Sequence, residues 1–294
     1  MPRFQAPGGE IYFEQFGARV SPPVLLIAGI GNQLIHWPTS FVDGLVSRGL
    51  RIVVFDNRDS GLSYGCDVEP PSLETLLKAR DDPESLTPAY TMADLARDAV
   101  RLLDHLGQAG AHLVGLSMGG IVAQHLAAKH ANRTFSLTCI NSTARLPDPS
   151  DEVIAALLGG VGADGDDAIV AGSIKGSKLL GGAFYDSEKY GHARVARLAF
   201  ERAYRPDGFM RQLAAIIADG DRSPMLKTVR TPTLVIHGDA DPLFSLDSAK
   251  DIAIAIAQAK FEAIEHVGHD LPEPVIPRYV DLIAAHIESI HVER

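Results

Sequence analysis

Residues 111–120 read AHLVGLSMGG, from Ala111 to Gly120, and no other stretch constrains the fold as tightly. A largely apolar run of β type, Ala111–Val114, leads into Gly115-Leu116-Ser117-Met118-Gly119, and Met118–Lys129 reads as a helix. A Gly-x-Ser-x-Gly pattern between a strand and a helix is a sharp turn that forces the serine backbone into a strained conformation and pushes its hydroxyl into a cleft. The helix that follows points free N–H groups at the place where negative charge develops in acyl transfer. Ser117 is therefore the candidate nucleophile.

Outward from this turn, short apolar runs alternate with longer helical patterns: Glu10–Phe16, Val24–Ala28, Arg51–Phe55, Ala111–Gly115, Leu137–Ile140, Thr233–His237 and Phe261–Ile264. Several are apolar almost throughout, as strands buried on both faces must be, so the pattern predicts an α/β fold whose parallel sheet is covered by helices on both sides. Thr91–Leu106 places Leu95, Ala99, Leu102, Leu103 and Leu106 on one stripe, with Thr91 as N-cap and Asp94 closing a capping box. Leu246–Ala257 and Val275–Ile290 read as the last two helices. Between Leu146 and Ser223 the strand signals vanish. That length is too great for a loop and reads as an inserted helical cap, with Gly159–Gly165 and Gly172–Gly182 as joints between short helices. The expected organisation is a core in two parts, 1–145 and 224–294, around a cap at 146–223.

A serine hydroxyl needs a base, and the base needs an orienting acid. The run Thr233–His237 leads into Gly238-Asp239-Ala240-Asp241, and the last run leads into Glu265-His266-Val267-Gly268-His269-Asp270. Ser117, Asp241 and His269 thus follow one another in the order nucleophile, acid, histidine, the latter two at the carboxyl ends of successive strands, where sites form in open α/β sheets. Asp239 and His266 compete with Asp241 and His269; the final Asp of the Gly-x-x-Asp turn and the histidine after Gly268 are preferred. The oxyanion donors fall to the backbone N–H groups of Met118 and of Ile30, the latter in the Gly-rich turn Ala28-Gly29-Ile30-Gly31-Asn32. Leu243 and Phe244, beside the acid, and Met210 and Leu213 in the cap are candidates for substrate contact. Phe184, Tyr185, Phe209 and Ile217 could line a pocket or simply pack the cap. Asp56 and Arg58 read as a charged pair bracing the loops beneath the site.

Composition bounds the partners. The 294 residues carry a formal charge of −10 with no basic stripe, which disfavours nucleic acid. No apolar run reaches membrane-span length and the first residues lack a signal-type apolar segment, so a cytoplasmic protein without membrane attachment is expected. Cys66 and Cys139 make no metal spacing, and His125 and His130 stand five apart on their helix, so no metal site and no cofactor are expected. Oligomeric state is left open.

With the elbow, the Gly-x-x-Asp turn and the Gly-His motif in hand, the chain resembles the α/β-hydrolase superfamily over its full length. Phe55-Asp56-Asn57-Arg58-Asp59-Ser60-Gly61-Leu62-Ser63, the Ala28–Asn32 turn leading to Trp37-Pro38, and Val114–Gly119 resemble the bacterial branch that includes aclacinomycin methylesterase. The resemblance implies an eight-stranded, mostly parallel sheet with an antiparallel second strand and a cap after the sixth. It also implies the triad and oxyanion donors named above, and cleavage of small-molecule carboxylic esters through an acyl-enzyme. One departure is Ala28-Gly29, where the superfamily commonly has His-Gly. The same triad serves lactonases, carbon–carbon bond hydrolases, peptidases and cofactor-free perhydrolases, and a slow ligand-binding protein is the reading from another class.

Overall fold

The computed structural model describes residues 2–19, 22–185 and 191–290, so residues 186–190 of the 146–223 segment lie outside the described residues. Eight strands form one sheet in the order β1-β2-β4-β3-β5-β6-β7-β8. They are β1 (Arg3–Ala6), β2 (Gly9–Phe16), β3 (Pro23–Ile27), β4 (Arg51–Phe55), β5 (Ala111–Leu116), β6 (Thr134–Ile140), β7 (Thr233–Gly238) and β8 (Lys260–Ile264). β2 runs antiparallel to both of its neighbours; from β4 to β8 every pairing is parallel.

The helices are α1 (Thr39–Ser47), α2 (Leu73–Ala79), α3 (Met92–His105), α4 (Met118–Lys129), α5 (Asp151–Leu158), α6 (Asp166–Gly181), α7 (His192–Arg202), α8 (Pro206–Asp219), α9 (Ser223–Leu226), α10 (Leu246–Ala255) and α11 (Ile276–Glu288). Strand alternation distributes the core between the two faces. Leu25, Ile27, Val53, Phe55 and Leu113 pack with residues of α3, α4 and α10, while Val24, Leu26, Ile52, Val54 and Val114 pack with residues of α1 and α11. The predicted capping box closes α3: Thr91 Oγ1 accepts from the Asp94 amide at 3.2 Å, and Asp94 Oδ2 accepts from the Thr91 amide at 2.8 Å.

Between β6 and β7, the 146–223 interval that the sequence marks as an inserted cap holds α5 to α8 and the first residue of α9. One detail of the expectation is corrected there. Gly159–Gly165 does join α5 to α6, but Gly172–Gly182 is no joint, since most of it lies inside α6. A Cβ at Gly176 would sit 2.2 Å from the Ala156 carbonyl oxygen, and one at Gly172 would sit 2.7 Å from the Gly160 Cα. These glycines let α6 lie against α5 and do not interrupt it. β1, α1 and α2 escaped the periodicity reading. β1 is only four residues long, and α2 buries only Leu76 and Ala79.

Candidate active site

β5 ends at Leu116 and α4 begins at Met118, so Ser117 turns the chain through a single residue, with φ 55° and ψ −119°. This is a conformation that L-residues adopt only under strain, held here by tertiary contacts. The Ser117 amide donates to the Ile140 carbonyl at 2.9 Å and its carbonyl accepts from Ser142 Oγ at 2.9 Å. Gly119 is required for close approach, because a Cβ there would lie 1.9 Å from the Ile27 carbonyl oxygen. The flanking glycines of the motif thus let α4 start directly against β3.

Asp241 and His269 meet from the ends of β7 and β8. His269 Nδ1 donates to Asp241 Oδ2 at 2.7 Å, while Asp241 Oδ1 accepts the amides of Leu243 at 2.8 Å and Phe244 at 3.0 Å. Burial alone would raise the Asp241 carboxyl. The charges of His269 and His237 and these hydrogen bonds outweigh it and hold the group below its ordinary value, so it is a carboxylate ready to orient an imidazole. The competing pair is occupied elsewhere: Asp239 accepts the His266 amide at 2.6 Å, and the His266 ring stacks on Phe184 at 4.4 Å. His237 donates through Nε2 to the Phe244 carbonyl at 2.8 Å and is lowered by burial.

Ser117 and His269 open on one cavity of about 490 Å³ between the sheet edge and the cap. Ile30, Leu157, Ile169, Val195 and Phe209 supply apolar wall, and His36, His192, Asp270 and Glu273 supply polar wall. Burial lowers His36 to about 4, keeping it neutral at physiological pH. Ile30 lies on the cavity. The amides of Ile30 and Met118 donate to no protein acceptor among the described residues, the state an oxyanion donor requires.

The other substrate-contact candidates sit behind the wall. Leu243 and Phe244 are buried with Val153, and the Phe244 ring meets His269 edge-on at 5.1 Å, so it supports the imidazole from the rear. Met210, Leu213 and Ile217 join Leu76, Ala79 and Ala214 in a separate apolar cluster between α2 and α8. Their neighbour Phe209 is the α8 aromatic that reaches the cavity, because it lies on another face of the helix. Phe184 is exposed.

Asp56 and Arg58 do not pair with each other. Asp56 accepts the Leu34 and Leu62 amides at 2.8 Å each and binds Arg202 of α7 at 2.8 Å, whereas Arg58 binds Asp98 at 2.7 Å. Their loops are braced by separate partners, one of which, Arg202, reaches across the cap boundary. Asp59, which went unnoticed, binds Arg211 of α8 through both oxygens at 2.9 Å and accepts Tyr90 Oη at 2.7 Å. Asn141 also went unnoticed. It accepts the Gly238 amide at 3.1 Å and donates to the carbonyls of Gly268 at 3.3 Å and Asp270 at 3.2 Å, tying the acid strand to the histidine loop. A run of small polar residues, Asn141-Ser142-Thr143, at the carboxyl end of a strand was the available signal.

Residues 22–273 match the family model of the alpha/beta hydrolase fold. The chain belongs to the α/β-hydrolase family. Among curated hydrolase relatives, rhodomycin D methylesterase DnrP of Streptomyces peucetius is 28% identical over 96% of both chains. The 3-oxoadipate enol-lactonase 1 of Acinetobacter baylyi is 27% identical over 68% of this chain and 72% of its own. The crystal structure of the enol-lactonase from Burkholderia xenovorans LB400 superposes with a TM-score of 0.76 at 24% identity, covering 98% of this hydrolase and 100% of that chain, a likeness of fold. Among the described residues no helix of this hydrolase is long and apolar enough to cross a membrane, and no group of three or more His, Cys, Asp or Glu side chains is placed to hold a metal ion.

Proposed function

We propose that this hydrolase is a serine carboxylesterase working through an acyl-enzyme, with Ser117, His269 and Asp241 as its triad. The observation that carries the reading is the strained Ser117 turn opening on the same cavity as a histidine whose far nitrogen is bound to a buried carboxylate. Ser117 Oγ attacks the ester carbonyl as His269 Nε2 takes its proton; the carbonyl π pair becomes an oxyanion received by the N–H groups of Ile30 and Met118. Collapse expels the alcohol, which leaves with the proton from His269. Water, deprotonated by His269, then attacks the acyl carbon, and Ser117 recovers its proton as the acid departs. Asp241 fixes the imidazole tautomer throughout and balances its transient charge.

The methylesterase relative supports ester cleavage, and the cap at 146–223, which supplies most of the cavity wall, is the proposed specificity element. Lactone hydrolysis is a second reading, favoured by the enol-lactonase relative; there the departing alcohol stays tethered to the acyl group. A fluorophosphonate should label Ser117 and abolish turnover of p-nitrophenyl acetate. A protein that hydrolyses no ester or lactone and leaves Ser117 unlabelled overturns the proposal. Parallel assays on lactones and on methyl esters of graded size separate the two readings.

A further inference from the structure

The cap does more than enclose the cavity, since α8 reaches beneath the oxyanion turn. The turn Gly29-Ile30-Gly31-Asn32 is closed by the Asn32 amide donating to the Gly29 carbonyl at 3.2 Å. Within it the Gly31 amide donates to Gln212 Oε1 at 2.8 Å. Gln212 lies in the middle of α8 and is fully buried, and its amide nitrogen donates to the Arg58 carbonyl at 2.8 Å and to Ser60 Oγ at 3.0 Å. These three partners determine its orientation: the nitrogen faces two acceptors and the oxygen faces the donor. The contact is backed by close packing. A Cβ at Gly31 would lie 2.7 Å from Phe209 Cδ2, and one at Gly208 would lie 2.2 Å from the Asp59 carbonyl oxygen.

Two neighbouring N–H groups of the turn could in principle turn toward an oxyanion. Gln212 occupies one of them. The Ile30 amide is left without a protein acceptor among the described residues, and Ile30 lines the cavity. We infer that Gln212 is a positioning residue for the oxyanion hole: by capturing the Gly31 N–H it holds the Gly29–Asn32 turn so that the Ile30 N–H alone is presented to the reacting carbonyl. The cap thereby takes part in transition-state stabilisation without touching substrate. The inference rests on the serine-hydrolase reading above.

The test separates binding of a tetrahedral oxyanion from ground-state binding. An aryl trifluoromethyl ketone adds reversibly to the nucleophile: an Oγ–carbon bond forms, the carbonyl π pair becomes an alkoxide, and the serine proton passes to His269. The matching methyl ketone occupies the same cavity without adduct formation. Gln212→Met removes all three hydrogen bonds at similar volume. Gln212→Asn keeps a buried amide but draws its oxygen back from Gly31. Both should weaken the trifluoromethyl ketone about ten- to hundredfold and lower kcat/KM for p-nitrophenyl acetate in parallel, with methyl ketone affinity held within about threefold. If Gln212→Met does not fold, Gln212→Asn decides. Folded variants that bind the trifluoromethyl ketone like the wild type, or that lose both ketones equally, overturn the inference. A wild type that neither reacts with fluorophosphonate nor binds the trifluoromethyl ketone instead overturns the serine-hydrolase reading, and the inference with it.

Discussion

Ser117 sits at φ 55° because β5 and α4 leave it a single residue in which to turn. A non-glycine residue so placed stores about 1–3 kcal/mol, which the surrounding contacts must outweigh. Ser117→Ala preserves the turn and removes the proposed nucleophile, so kcat/KM for p-nitrophenyl acetate should fall at least ~10³-fold while the urea midpoint stays close to wild type. Asp241→Asn is a different experiment. An amide can present its NH2 to His269 Nδ1 and trap the wrong tautomer, so kcat should fall by about 10⁴-fold in steady-state assays with little change in fold. Both residues were legible in the sequence because glycines bracket the serine and the Gly-x-x-Asp turn follows a strand. The choice of Asp241 over Asp239 rested on the turn alone; the structure pairs Asp241 with His269, while Asp239 accepts the His266 amide.

At the level of elements, α6, α7 and α8 each grip the core at a loop that bears on the cavity. The Leu180 carbonyl of α6 accepts the His269 amide at 2.6 Å, Arg202 of α7 binds Asp56, and Arg211 of α8 binds Asp59. The Asp59–Arg211 pair is buried on both sides, with side-chain exposures of 0% and 8%. Removing one member leaves the other charge without compensation, so Arg211→Met should destabilise the protein by about 3–5 kcal/mol in urea denaturation. Gly176→Leu should cost about 1–3 kcal/mol by forcing α6 away from the Ala156 carbonyl. The α3 helix could be read from periodicity and its capping box, since its apolar face is a local property of the chain, whereas α4, buried almost throughout, was read from the elbow that precedes it. The α6 glycines were misread because a glycine that breaks a helix and one that lets two helices touch look alike until the second helix is in view.

Across the whole molecule, buried histidines make stability depend on pH. His112, on β5 beside Ser136 of β6, is lowered to about 4 by burial, reinforced by the charge of His286. His36 is lowered to about 4, again by burial. An unfolded histidine takes up its proton near pH 6.5. Between that pH and about 4 the unfolded chain therefore binds more protons than the folded one, and stability rises with pH through this window. Denaturant midpoints measured from pH 7.5 down to 4.5 should fall, and His112→Gln, which keeps a polar partner for Ser136, should fall less steeply.

The succession of strands β2 to β8 along the chain, the elbow, and the order of serine, acid and histidine were readable from residues 111–120 outward, because each depends on short-range patterns of apolar runs and turn chemistry. Pairings that bridge distant segments were not readable. Gln212 meets Gly31 across 181 positions and Arg211 meets Asp59 across 152, and nothing local to either segment marks its partner. A buried hydrogen bond or ion pair acquires its meaning from what desolvates and faces it, and those surroundings exist only once the cap has folded down on the sheet.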